Sequence, residues 1–261
     1  MGQYKNTDKD WEQIGKSDPY YGVLTFEQFH SAQENPITLK DFWKSGEVYV
    51  QEILEIVHDN ISKNFKPKKV LDFGCGVGRI LIPLCSKAEW VTGVDVSQGM
   101  IDEAQKNCER LQISNVDFIK GDYHFAKQSE KFDFIHSFIV FQHIPVKRGT
   151  KIFKELLTSL EEDGIGVIHF TYFRRARTFN NFAYYLIKNS VFLSGIWNIV
   201  HKKSFSDPVM QMNLYDLNKI FQFLQAAGCH RICVRFTNHG EKYFGVLLIF
   251  QKKNNLISGV K

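Results

Sequence analysis

Residues 70–79, Val-Leu-Asp-Phe-Gly-Cys-Gly-Val-Gly-Arg, constrain this chain more than any other stretch. An apolar run behind Lys68 and Lys69 ends in glycines at every second position, Gly74, Gly76 and Gly78, and Ile80, Leu81, Ile82 and Leu84 come next. The pattern reads as a buried strand, a tight turn and the opening of a helix. Glycine allows positive φ in such a turn and lets a ligand approach the backbone with no Cβ in the way. The helix N-terminus behind it offers free N–H groups and the positive end of a dipole. A tight turn that binds nothing would use the same residues, so the assignment depends on the next segments of the chain.

Trp90–Val96 reads as a second buried strand ending in an acid. Asp95 lies 19 residues after Gly76, near the ~20-residue spacing at which an acid meets ribose hydroxyls in doubly wound folds. A carboxylate suits a ribose diol because it accepts two hydrogen bonds at once. Ser97 is placed to cap a helix over 98–111, and Val116–Ile119 leads into Lys120, Gly121, Asp122 and Tyr123. A dinucleotide site wants G-x-G-x-x-G, but Arg79 stands at its third glycine and Gly78 falls one residue early. The spacing Asp-x-Gly-x-Gly-x-Gly resembles the first motif of the class I Rossmann-like S-adenosylmethionine-dependent methyltransferases.

That resemblance spans about residues 68–170, more weakly to 250, and implies a doubly wound α/β fold. Its sheet would have seven mostly parallel strands ending in an antiparallel C-terminal hairpin, with helices on both faces. It implies S-adenosylmethionine as cofactor and S-adenosylhomocysteine as product. Asp72, Gly74, Gly76 and Gly78 would wrap the amino-acid end, Asp95 the ribose, Met100 the adenine ring and Asp122 the adenine amino group. Arg79, Val96, Gly121, Tyr123, Ser137 and Phe138 complete the implied cofactor contacts.

With 261 residues, 44% of them hydrophobic, the chain can build one large core or a core with an appendage. Its five cysteines are scattered singly with no C-x-x-C pair, which argues for a reducing compartment and against a zinc site. A polar N-terminus and the lack of any ~18-residue apolar run point to a soluble cytoplasmic protein with no metal and no membrane span. Charge is uneven: residues 1–164 carry 20 Lys and Arg against 25 Asp and Glu, residues 165–261 carry 13 against 3. Such a basic half fits a nucleic-acid or membrane surface, a rim that attracts an anionic small substrate, or only solubility.

Residues 1–45 read as an N-terminal extension, 46–253 as the methyltransferase domain and 254–261 as a loose tail. In the extension, Tyr20 or Tyr21 either covers the cofactor site or anchors the segment to the core. A helical period occupies 46–64, and Pro83 must lie near the first turn of the helix after the glycines. Phe132–Val140 reads as the fourth strand, 148–162 as a helix ended by Gly164 at the C′ position, and Ile165–Phe170 as the fifth strand. A helix over 216–227 and two closing strands, 230–236 and 243–250, complete the pattern. The insertion 171–213, rich in aromatic and basic residues, reads as an acceptor lid, a dimer surface, a membrane-surface helix or a plain cover for the sheet.

Substrates of doubly wound folds sit beyond the strand ends. After the fourth strand comes Phe141-Gln142-His143-Ile144-Pro145, which lacks the sequence motifs of adenine-N6, cytosine-C5 and arginine methyltransferases and looks more like bacterial small-molecule enzymes. A hydroxyl acceptor must lose a proton, and histidine is suited to take it near neutral pH. His143 is therefore the candidate general base, with a helix-capping or loop-bonding role as the alternative, while His136 and His169 fall inside strand runs. Gln142, Tyr215 and Arg174 are the candidate acceptor contacts. The expected activity is methyl transfer to a small molecule, a sugar or secondary-metabolite hydroxyl, by a monomer or homodimer. An RNA or protein methyltransferase, or a cofactor-binding partner subunit without catalysis, are the alternatives.

Overall fold

The structure, a computed structural model, describes residues 7–24, 27–30, 35–121, 130–175, 196, 200, 210–239 and 242–253. Asp122, Tyr123, most of the insertion and the tail lie outside these residues. The strands are β1 (Lys69–Phe73), β2 (Trp90–Asp95), β3 (Val116–Lys120), β4 (Phe132–Ser137), β5 (Leu160–Arg174), β6 (Cys229–His239) and β7 (Tyr243–Lys252). They form one sheet in the order β3-β2-β1-β4-β5-β7-β6. β1 to β5 run parallel, and β7 pairs antiparallel with both β5 and β6. This is the doubly wound sheet with a closing hairpin that the sequence implied.

Each central strand is apolar on both sides, because helices cover both faces. Leu71, Ile135, Ile168 and Leu248 pack on one face with α6 (Val146–Ser159) and α7 (Leu217–Ala226). Their neighbours Val70, Phe134, Val167 and Leu247 point to the other, against α3 (Pro36–Asn60), α4 (Leu81–Cys85) and Cys108 of α5 (Gln98–Arg110). A third cluster joins α1 (Thr7–Ser17) and α2 (Pro19–Val23) to the core through Ile14, Tyr20, Phe42, Val77 and Met100.

Several boundaries differ from the sequence reading. α3 begins at Pro36, capped by Asn35, whose side chain accepts from Ile37 N and Thr38 N. The helix therefore runs through position 45, because its first turns bury Phe42 rather than an aliphatic stripe. α6 ends at Ser159, and the left-handed residue is Asp163 (φ 61°), not Gly164. β4 stops at Ser137, whereas β5 continues to Arg174, because β7 pairs along it as far as Arg174↔Tyr243. Asp216 and Ser97 cap α7 and α5 as expected, accepting from Asn218 N and Met100 N. Pro83 falls within the short α4, at the start of the helix. Among the described residues no helix is long and apolar enough to cross a membrane.

Gly166 faces Phe250 across the β5–β7 ladder, and a Cβ there would stand 2.2 Å from the phenyl ring. Gly166→Ala should lower unfolding free energy in urea by about 1–3 kcal/mol through overpacking. Adding Phe250→Leu to that variant should recover part of the loss.

Candidate active site

The C-terminal ends of β1, β2 and β4 open into a cavity of about 530 Å³, within the ~300–1,000 Å³ of small-molecule sites. Its floor is the glycine turn. Gly74, Gly76 and Gly78 have φ of 78°, 54° and 93°, values that a side chain makes costly. Gly74 N and Cys75 N donate to the Val94 carbonyl at 2.7 and 3.1 Å, which fastens the turn to β2.

Asp95 locks this corner. Its Oδ2 accepts from Gly76 N at 3.0 Å and its Oδ1 from Ser97 N at 2.9 Å. Burial nevertheless pushes its carboxyl up to about 6, since the two N–H donors only partly offset lost hydration. Each oxygen still has lone-pair capacity, and the residue lines the cavity, so donors such as a ribose diol would relieve a group short of partners. Val96, Met100, Gly121 and Phe138 line the same space. The cradle fits the adenosyl cofactor that the motif implies: glycine backbone at one end and an under-solvated carboxylate beside it.

The N-terminal helices form a strap over this floor. A Cβ on Gly15 would meet Ser97 Oγ at 2.3 Å, and one on Gly99 would meet the Gly15 backbone at 2.8 Å, so α1 and α5 cross at two glycines. Glu12 Oε2 accepts from Gln98 N at 2.7 Å, supplying a carboxylate to the α5 N-terminus. Asp8 binds Arg148 of α6 through two bonds of 2.7 and 2.9 Å. Between these ties Trp11 stands edge-on to His143, with centroids 5.0 Å apart. Gly22, Val23 and Leu24 close the space above the glycine turn.

At the far end a chain of polar groups holds His143. Thr171 Oγ1 donates to Gln142 Oε1 at 2.7 Å, which turns the Gln142 amide nitrogen to His143 Nε2 at 3.1 Å. His143 Nδ1 faces the Gln211 carbonyl at 2.8 Å and so carries the proton. The proton-accepting nitrogen is Nε2. The backbone reaches this site through Ile139, a β-branched residue at φ 62° between the cavity-lining Phe138 and Val140. Such a conformation costs of order 1–3 kcal/mol and is found mostly at functional sites.

Of the expected cofactor contacts, Gly74, Gly76, Asp95, Val96, Met100, Gly121 and Phe138 line the cavity, while Gly78 shapes the turn beneath it. Five others turn elsewhere. Asp72 is buried beside β4, its Oδ1 2.7 Å from His136 Nδ1, and His136 Nε2 lies 3.1 Å from the Tyr49 hydroxyl. Arg79 points under α3, reaching Ser45 Oγ at 3.3 Å and the Tyr49 ring. Ser137 is fully buried away from the cavity. Tyr20 anchors rather than covers: its hydroxyl donates to Glu103 at 2.9 Å and accepts from Asn107 at 3.1 Å, and burial pushes it up to about 12.

Tyr21 also leaves the cavity, stacking on His30 at 3.5 Å. Among the acceptor candidates, Gln142 and His143 line the cavity. Tyr215 does not: its ring lies among Phe141, Phe153 and Phe170, and its hydroxyl donates to the Ile144 carbonyl at 2.9 Å. Arg174 stands one layer back, over the ring of Tyr243, which does line the cavity. The sequence reading missed Trp11, Asp8, Val23, Ile139, Arg148 and Tyr243. The amphipathic period of α1, with Trp11 and Ile14 on one side, is the one local signal that pointed to a packed N-terminal helix.

A family model described as "Methyltransferase domain" matches residues 70–164. The ubiquinone biosynthesis O-methyltransferase of Coxiella burnetii is 28% identical over 136 residues, 52% of this chain and 46% of that protein. The 23S rRNA (uracil(1939)-C(5))-methyltransferase of Haemophilus influenzae is 27% identical over 119 residues, 46% of this chain and 26% of that one. The chain thus spans less than half the length of these relatives. In fold, it resembles the magnesium protoporphyrin IX methyltransferase of Synechocystis solved with bound S-adenosylmethionine. That likeness has a TM-score of 0.59 at 19% identity, covering 96% of this chain and 99% of the other.

The raised Asp95 carboxyl gives a signed pH dependence. A ribose diol donates to the ionised form, so binding depresses the group, and affinity is lost as pH falls through about 6. Calorimetry should find S-adenosylhomocysteine binding roughly tenfold weaker at pH 5 than at pH 7. Asp95→Asn should bind about 1.5–3 kcal/mol more weakly at pH 7 and lose that dependence. A wild-type affinity flat across this range would remove Asp95 from the binding site.

Proposed function

We propose, from the premise that residues 70–164 belong to the methyltransferase-domain family within a chain of class I fold, that this protein is an S-adenosylmethionine-dependent methyltransferase acting on a hydroxyl of a small molecule. One observation carries the reading: the glycine turn, Asp95 and His143 line a single cavity. When bound over Gly74, Gly76 and Asp95, S-adenosylmethionine would supply an activated sulfonium methyl and would leave as S-adenosylhomocysteine.

The protein's part is alignment, exclusion of water and disposal of one proton. The Gln211 carbonyl fixes the His143 tautomer, and Trp11 and Gln142 fix the ring's position. An acceptor hydroxyl that takes the place of the Gln142 amide donates to Nε2, and the imidazole accepts its proton as the new carbon–oxygen bond forms. Gln142 is a positioning residue in this scheme. α1 and α2 are the cover, so the N-terminal extension belongs to the site and not to a separate unit.

An RNA or protein acceptor is the second reading. The basic excess of residues 165–261 and the rRNA-methylating relative favour it; the strap of Trp11 and Val23 across the cavity favours a small acceptor.

Methyl transfer from labelled cofactor into a metabolite extract tests the reading. His143→Ala should lower kcat by roughly 100- to 10,000-fold and leave S-adenosylhomocysteine affinity little changed. The rising pH limb of kcat should vanish in the variant, and high pH should partly restore its rate as the acceptor ionises unaided. A variant that keeps the wild-type rate and limb would make His143 a structural residue. Cofactor binding without transfer to any extract component would favour a non-catalytic partner subunit.

A further inference from the structure

The cavity beyond the cofactor cradle has a distinct composition. Among the described residues, its lining includes Trp11, Ile144, Met210, Met212 and Tyr243 together with His143. Most of the polar side chains described at this end are already engaged within the protein. Asp8 holds Arg148 by two bonds, and Thr171, Gln142, His143 and the Gln211 carbonyl form a closed series. A polyhydroxylated acceptor such as a sugar would bring several hydroxyls into this space. Each one left without a partner costs about 1–3 kcal/mol.

Among the described residues, the exchange that breaks fewest of these pairs is at His143 Nε2. A single hydroxyl replaces the Gln142 amide at His143 Nε2, and the rest of the acceptor meets apolar surface. That surface suits a flat ring. Trp11 lies at 67° to the imidazole with centroids 5.0 Å apart, so a ring parallel to one meets the other edge-on, the arrangement aromatic groups prefer. The thioethers of Met210 and Met212 add polarizable, deformable contacts to a ring. From this we infer that the acceptor is an apolar aromatic alcohol, a phenol-type hydroxyl on a flat ring. Trp11, brought in by the N-terminal strap, is the residue that selects it. The inference rests on the methyltransferase reading and narrows its acceptor from any small-molecule hydroxyl, sugars included, to one chemical class.

The probes are 2-naphthol and methyl glucoside, each titrated into the full chain saturated with S-adenosylhomocysteine. In protein carrying 13C-methyl methionine, 2-naphthol should shift the Met210 and Met212 methyl signals by its ring current, whereas methyl glucoside should shift none. Trp11→Ala should bind 2-naphthol about tenfold more weakly, with S-adenosylhomocysteine affinity changed by less than about twofold. Trp11→Phe, which keeps a flat ring, should retain most of the affinity. The methionine shifts need only the wild-type chain, so a poorly folded Trp11 variant leaves the test standing.

The inference is overturned if methyl glucoside binds as well as 2-naphthol, if Trp11→Ala binds 2-naphthol like the wild type, or if neither probe binds while S-adenosylhomocysteine does. Failure of S-adenosylhomocysteine itself to bind would instead remove the methyltransferase reading beneath it, and this inference with it.

Discussion

Everything at this site is referred to one buried carboxylate. Asp95 sits where β2 ends and bonds forward to Ser97 N at the start of α5 and sideways to Gly76 N in the turn after β1. Two βα connections that are distant in sequence thereby share one anchor. The cost is visible in the raised carboxyl, which two N–H donors do not fully stabilise. Such a group favours any ligand that brings further donors. The same geometry that sets the shape of the cradle therefore also leaves this carboxylate short of donors on its cavity side.

The strap depends on that corner in turn. α1 crosses the α5 N-terminus at Gly15 and Gly99, close enough for Glu12 to reach Gln98 N. Tyr20 continues the attachment along α5 to Glu103 and Asn107, and Asp8 extends it across the cavity to Arg148. These ties run to helices on different parts of the sheet, so the strap spans the opening and does not lie along one edge. Trp11 is delivered to His143 by this arrangement, which links the glycine turn and the His143 end of the cavity through a segment outside the family-matched core. Of these ties the Asp8–Arg148 pair is half-buried and partly solvated, which weakens an ion pair.

Behind the glycine turn, a second polar group has a different task. Asp72 and His136 occupy paired positions on adjacent parallel strands, so their side chains share a face and meet at 2.7 Å. Tyr49 of α3 closes the series, and Arg79 lies over its ring. The acid of the glycine motif thus joins β1 to β4 and α3. It braces the turn from beneath while Asp95 holds it from the cavity side.

The fold was legible in the sequence because its signals are local. Strand runs bounded by glycine, caps at Ser97 and Asp216 and alternating sheet residues each arise from a few neighbouring side chains. The glycine turn and Asp95 were legible for the same reason, since their spacing is set by one βαβ unit. Where individual side chains point at the ends of elements was not legible. Tyr20 and Tyr215 were read as site residues because aromatic rings with polar tips suit binding; packing assigned both to anchoring, each hydroxyl bonded within the protein. Asp72 and Ser137 flank cavity-lining residues, and a strand sends neighbours in opposite directions, while Arg79 lies three residues past Gly76 and turns under α3. Trp11, Met210, Met212 and Tyr243 come from segments far apart along the chain. Short-range periodicity and backbone chemistry were enough to read the sheet, its turn and the acid that serves it. The surroundings of His143 had to wait for packing, because that wall exists only where the N-terminal strap, the fourth strand's loop and the closing hairpin converge.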